Sequence, residues 1–242
     1  MQVELVDNII KNFTRMTLED FKYLASLVCP KITRMDTNMR EAITARESLA
    51  LTMRFLATGD SFTSLQYLFR ISKSTISGII PEVCDAINES LQEYIKIPTS
   101  TEQWLQKANE FKTKWSFPHA IAAMDGKHVV IQAPNLSVSE FYNYKNSFSI
   151  VLFSLVDANY NFMYVDVGCQ GRISDGGVFK NTTLYKKLEN RVLNIPNPCV
   201  LQIPYAVKVP YMILGDKAFA LNDYTLKPFM GNPDNGSPET YI

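Results

Sequence analysis

Apolar residues follow two different rhythms along the chain. In the first hundred residues they recur at helical spacing. Leu18, Phe21, Leu24, Leu27 and Val28 predict an amphipathic helix over 18–29, with Thr17 placed to cap it and Pro30 placed to stop it. Ile43, Leu49, Met53 and Leu56 predict another over 41–58, closed by Gly59 where a positive backbone angle is wanted. A short helix then opens after Asp60 or Ser61 and ends at Arg70. Ile71-Ser72 is a very short turn, and Lys73 starts a second helix that carries Ile76, Ile79, Ile80, Val83, Ile87 and Leu91. Two helices so joined have the layout of a helix-turn-helix at about 61–90. In that geometry Ser72, Lys73, Ser74 and Ser77 face DNA while the isoleucines pack inward. Plain helical packing is the other reading, and Glu82, Asp85 and Glu89 on the same helix would repel a phosphate backbone if they faced it.

Pro98 and Thr99 break the chain before a helix from about Thr101, whose Trp104 and Phe111 pack against the domain that follows. The expected division is a helical region over 1–114 and a second domain over 115–242.

There the rhythm changes to that of strands. An apolar run from Ala120 ends in Asp125-Gly126 and continues extended to Pro134; β-prone runs cover 149–157 and 162–168, joined by a short turn. A Gly-rich passage over 168–179 leads into a helix with Ser174 or Asp175 as its cap and Phe179, Leu184 and Leu188 on its inner face. A last apolar run, 211–216, ends in Gly215-Asp216. Three strands, a helix and a strand, with carboxylates closing the first and last strands, is the order of an RNase H-like fold. Its first and fourth strands lie side by side, so Asp125 and Asp216 meet. Two adjacent carboxylates repel unless one is protonated or a cation bridges them, and Mg²⁺ or Mn²⁺ takes such oxygen ligands. With a third acid, two such ions could serve phosphodiester cleavage by water or a 3′-hydroxyl. Solvent-facing turn residues are the alternative for both aspartates.

Composition narrows this only modestly. With 46% hydrophobic and 12% aromatic residues the chain can build real cores, so disorder over most of it is excluded. A formal net charge of +0 weighs against constitutive tight binding of nucleic acid, though the local placement of Lys and Arg decides. No signal-type run and no span-length apolar stretch is present, which points to a soluble intracellular protein. Cys29, Cys84, Cys169 and Cys199 form no CxxC pair and only His119 and His128 accompany them, so neither a zinc knuckle nor a disulfide framework is indicated.

Several separated strings resemble one family. Met124-Asp-Gly-Lys-His128, the passage 168–179, Leu214-Gly-Asp-Lys-Ala-Phe219 and Pro228-Phe229 are similar to the DDE superfamily endonucleases of the PIF/Harbinger transposases and the nucleases domesticated from them. So are 54–62, Lys73-Ser-Thr-Ile-Ser77 and Trp115-Ser-Phe-Pro-His119, and the likeness runs from about Arg40 to Phe229. The resemblance implies an α/β, RNase H-like domain, divalent-metal-dependent DNA cleavage and nuclear action, often with a Myb-like DNA-binding partner. It places the first catalytic aspartate on Asp125 and the second on Asp216. Asp175 becomes a further metal ligand or a helix cap. Lys127 and His128 fall beside the first aspartate, where contact with phosphate and an ordinary core or surface role are both open.

The family continues into an Arg-rich helix bearing a third acid. These 242 residues supply only Glu239, in a loop-like tail with Gly231, Pro233, Asp234 and Gly236. A DDE endonuclease or transposase is therefore expected by ancestry, in a chain apparently truncated before its third acid. A catalytically inactive DNA-binding or partner-binding derivative is the alternative.

Overall fold

Thr17, Thr44, Ser61, Ser72 and Ser100 each accept a hydrogen bond from a backbone N–H in the first turn of the helix that follows, satisfying donors the helix cannot use internally. The computed structural model describes residues 2–38, 41–137, 139–202 and 205–228. The chain forms two compact units, Met1–Glu93 and Tyr94–Ile242.

The first unit holds α1 (Gln2–Thr14), α2 (Leu18–Ile32), α3 (Ala45–Thr58), α4 (Phe62–Phe69) and α5 (Lys73–Leu91). Ile76, Ile79, Ile80, Val83 and Ala86 form the buried stripe of α5, packed in one core with Leu24 and Val28 of α2, Leu49 and Leu51 of α3, and Leu65 of α4. Gly59 ends α3 at φ 68°, and its N–H bonds to the Phe55 carbonyl. Three features depart from the sequence expectations. Helix α1 was not anticipated, although Val3, Val6, Ile10 and Phe13 do recur at helical spacing. Helix α2 runs two residues past Pro30, because burial of Ile32 in the core offsets the one backbone bond the proline cannot make. Helix α3 begins only after its cap Thr44, so 41–44 is not helical.

The second unit begins with α6 (Thr101–Trp115), earlier than the expected break after residue 114. The reason is Trp104. It is fully buried in the second unit's core, and its indole N–H donates to the Leu193 carbonyl at 2.7 Å. Strands β1 (Ala120–Val130), β2 (Ser149–Val156) and β3 (Phe162–Gln170) pair antiparallel in sequence order. The chain then makes α7 (Asp175–Asn181) and α8 (Thr183–Glu189), a separate hairpin of β4 (Cys199–Gln202) and β5 (Tyr205–Val209), and β6 (Met212–Leu214) and β7 (Thr225–Leu226). Strand β6 pairs parallel to β1 and β7 parallel to β6, giving the sheet order β3-β2-β1-β6-β7. The single helix expected after the Gly-rich passage is two. Thr182 ends α7 in extended geometry (φ −71°, ψ 156°) and caps α8 by accepting from Tyr185 N–H. The hairpin was also not foreseen.

On β2, Val151, Phe153 and Leu155 are buried and alternate with half-buried neighbours, as a strand with one face on the core requires. The Phe153 ring stacks on Phe179 of α7 at 5.5 Å and meets Phe219 edge-on at 6.3 Å, which fixes α7 over the centre of the sheet. A central mixed sheet flanked by helices matches the general RNase H-like architecture. Among the described residues no helix is long and apolar enough to cross a membrane.

Candidate functional site

Strands β1 and β6 run parallel with Ala123 opposite Leu214, and Asp125 on β1 and Asp216, two residues past the end of β6, both follow that pair. Both side chains are exposed and each is held by a local amide: Asp125 Oδ1 accepts from Gly126 N–H and Asp216 Oδ1 from Ala218 N–H, both at 2.8 Å. Strand β1 does not end at Asp125; it continues to Val130 against β2 after its partner β6 has stopped.

Asp175 reaches the same place from a different direction. Ser174 is the cap of α7, its Oγ accepting from Gly177 N–H at 3.3 Å, which leaves Asp175 at the first helical position with its carboxyl uncommitted to capping. Two glycines make room for it. A Cβ on Gly126 would lie 2.1 Å from Asp175 Oδ1, and one on Gly176 would lie 2.7 Å from the Ala218 carbonyl oxygen. The start of α7 is therefore pressed against β1 and against the loop that carries Asp216. Burial raises the Asp175 carboxyl above the ordinary carboxylate range; His128 and Lys145 oppose the shift, and the charges of Asp125 and Asp216 add to it. Its Oδ1 is buried without a hydrogen-bond partner.

His128 follows Gly126 by two residues on β1 and so lies on the face that meets α7. Its Nδ1 is 2.9 Å from Ser149 Oγ, which also accepts from Asn143 Nδ2 at 2.7 Å. The Asn143 amide orientation is fixed by Lys145 N–H, Ser147 N–H and the Ser147 hydroxyl, all donating to its Oδ1. Lys127 is exposed, and strand alternation turns it to the opposite face from His128. Sequence reasoning missed Asn143, Lys145 and Ser149. They sit in or next to the Asn/Ser/Tyr-rich stretch that reads as plain surface loop, yet Asn143 and Ser149 are buried.

The donor chemistry suits a hard divalent cation; the spacing does not. Among the described residues no three His, Cys, Asp or Glu side chains stand close enough together to hold a metal ion. The charges of Asp125 and Asp216 reach Asp175, but the three are not closed into a coordination shell. Glu239 lies outside the described residues.

In the first unit, Ser72, Lys73, Ser74 and Ser77 are exposed at the start of α5 while Ile76, Ile79 and Ile80 are buried. Ser72 is the cap, accepting from Thr75 N–H at 3.3 Å, and its hydroxyl also contacts those of Ser74 and Thr75. Two of the acids further along α5 have partners: Glu82 pairs with Arg34, and Glu89 with Lys31 at 2.9 Å.

Asp125 on β1, Asp216 two residues past β6 and Asp175 at the start of α7 belong to a mixed α/β domain whose central sheet flanked by helices matches the general RNase H-like architecture. The family described as DDE superfamily endonuclease matches residues 124–240. Protein ALP1-like of Arabidopsis thaliana is 25% identical over 90% of this chain and 54% of its own length. Protein Antagonist of Like Heterochromatin Protein 1 of the same plant is 22% identical over 92% and 57%. HARBI1 of Rattus norvegicus, whose name marks it a candidate nuclease, is 24% identical over 85% and 54%. These matches make the chain distantly similar to DDE superfamily endonucleases and to proteins related to them. The chain spans about half the length of these relatives. No solved structure matches it.

Proposed function

We propose that this chain is a DNA-binding protein of transposase descent that does not cleave DNA by itself. The carrying observation is the contrast at the aspartates. The charges of Asp125 and Asp216 reach Asp175, yet no three acid, histidine or cysteine side chains among the described residues are spaced to share a metal. Active members of the family work through divalent metal, so a cluster left open is an ancestral site without the assembled machinery.

DNA contact is assigned to the start of α5. Ser72, Lys73, Ser74 and Ser77 are exposed there, at a helix N-terminus suited to phosphate oxygens, and the pairing of Glu82 with Arg34 and of Glu89 with Lys31 offsets the repulsion those acids would otherwise exert. Lys127 and His128 are the corresponding phosphate-contact candidates of the second unit. Action on DNA implies the nucleus, and a neutral chain leaves sequence-specific targeting to a Myb-like partner or to self-association. Fluorescence anisotropy of a labelled duplex tests this reading. Affinity should fall steeply with salt, and Lys73→Glu should lower the slope of log K against log salt by about 1. Undiminished binding by Lys73→Glu would remove α5 from the interface.

A second reading, metal-dependent endonuclease, is favoured by one observation: the orphaned Asp175 Oδ1 beside two further carboxylates is what a cation would satisfy. It requires the three aspartates to close together, and nicking that depends on Mg²⁺ or Mn²⁺ and disappears in Asp125→Ala would establish it.

A further inference from the structure

Away from the aspartates, three polar side chains of the second unit converge at the head of β4. Cys199 Sγ lies 3.4 Å from His119 Nε2 and 3.3 Å from the Tyr211 hydroxyl. His119 Nδ1 lies 3.0 Å from the Val209 carbonyl oxygen. A carbonyl only accepts, so Nδ1 carries the proton, and in the neutral ring Nε2 is the bare nitrogen turned toward the thiol. The imidazole is stacked on Tyr211 with centroids 4.5 Å apart and planes 16° from parallel, which holds Nε2 on the sulfur. Tyr211 is pushed up to about 12, by burial first and then by its bond to Cys199, so its phenol stays a hydrogen-bond donor throughout the neutral range.

The other cysteines differ. Cys29, Cys84 and Cys169 are partly buried, and burial pushes each thiol up, whereas Cys199 is exposed. A cleft of about 700 Å³ lined by Arg191, Asn194, Pro198, Pro210, Tyr211 and Tyr224 opens beside this cluster, with Pro198 the chain neighbour of Cys199. Tyr211, whose hydroxyl meets the sulfur, forms part of its wall.

We propose that Cys199 is a nucleophilic thiol with His119 as its proton acceptor, a covalent modification site for small soft carbon electrophiles that arrive through this cleft. In the step, the sulfur forms a bond to the electrophilic carbon as the bond from that carbon to its leaving group breaks. The thiol proton passes to His119 Nε2 and the leaving group departs as an anion. Tyr211 donates to the sulfur while charge develops on it.

The test uses the full chain and iodoacetamide, with alkylation rates at each cysteine read by peptide mass spectrometry in native buffer and in urea at the same pH. Cys199 should react at least about 5-fold faster in the folded chain than in the unfolded one, although unfolding gives freer access. Cys29, Cys84 and Cys169 should react more slowly when folded. His119→Gln should remove the folded-state advantage while leaving Cys199 exposed. A folded rate at or below the unfolded rate overturns the proposal, and so does a full rate in a His119→Gln variant with a native circular dichroism spectrum. If that variant does not fold, the folded-to-unfolded ratio of the unchanged chain decides alone.

Discussion

The surface at the start of α5, proposed above to face DNA, and the aspartates of the second unit are built in opposite ways. Ser72, Lys73, Ser74 and Ser77 lie within six residues on one helix, and the 3.6-residue period that buries Ile76, Ile79 and Ile80 exposes them. Asp125, Asp216 and Asp175 come from β1, the loop after β6 and the start of α7, and what proximity they have depends on strand pairing and on glycines that allow close approach. A surface set by local periodicity tolerates loss of neighbours. A site set by tertiary approach does not, so damage to the packing of the second unit should reach its aspartates, whereas the α5 surface should fail only through its own residues.

Four substitutions sharpen that contrast. Both tryptophans, Trp104 and Trp115, lie in the second unit, so their fluorescence reports its unfolding alone. Trp104→Ala leaves Trp115 as reporter and should cost about 3–5 kcal/mol in urea unfolding, since it empties a buried volume and strands the Leu193 carbonyl. Gly176→Ala should cost about 1–3 kcal/mol, because its methyl group would push α7 off the Ala218 carbonyl and carry Asp175 with it. Ser72→Ala should cost about 1 kcal/mol, read by far-ultraviolet circular dichroism of the helical unit, with the tryptophan signal unchanged.

The smallest effect is electrostatic. The Asp175 carboxyl is raised in the folded chain, so ionising it opposes folding. Its stabilising contribution is complete below the ordinary carboxylate range and is lost as pH rises through the raised value. Asp175→Asn should therefore melt higher than the unchanged chain at neutral pH, with the gap closing on acidification. A gap independent of pH would show that the charge on Asp175 is not what strains the site.

Legibility in the sequence divides along the same line. The α4–α5 turn and the three antiparallel strands could be read from periodicity. What stayed hidden depended on contacts distant in sequence. Trp104 draws α6 into the second unit through a bond to Leu193, and no local pattern records that partner. The placement of Asp175 rests on space left at Gly126 and Gly176, and a Ser-Asp-Gly-Gly string reads equally well as a simple helix start. Thr182 divides α7 from α8 while the apolar spacing of Phe179, Leu184 and Leu188 runs on without a break. The His119–Cys199–Tyr211 cluster spans 92 residues of sequence gap, 211 minus 119, with no motif to announce it.

The most direct test of the account is plasmid nicking by the purified 242-residue chain in Mg²⁺ and in Mn²⁺, beside Asp125→Ala and Lys73→Glu, at a salt concentration where DNA binding is measured. The account predicts that the unchanged chain binds the plasmid and leaves it supercoiled, and that Lys73→Glu alone weakens binding. Metal-dependent nicking by the unchanged chain that vanishes in Asp125→Ala would contradict it.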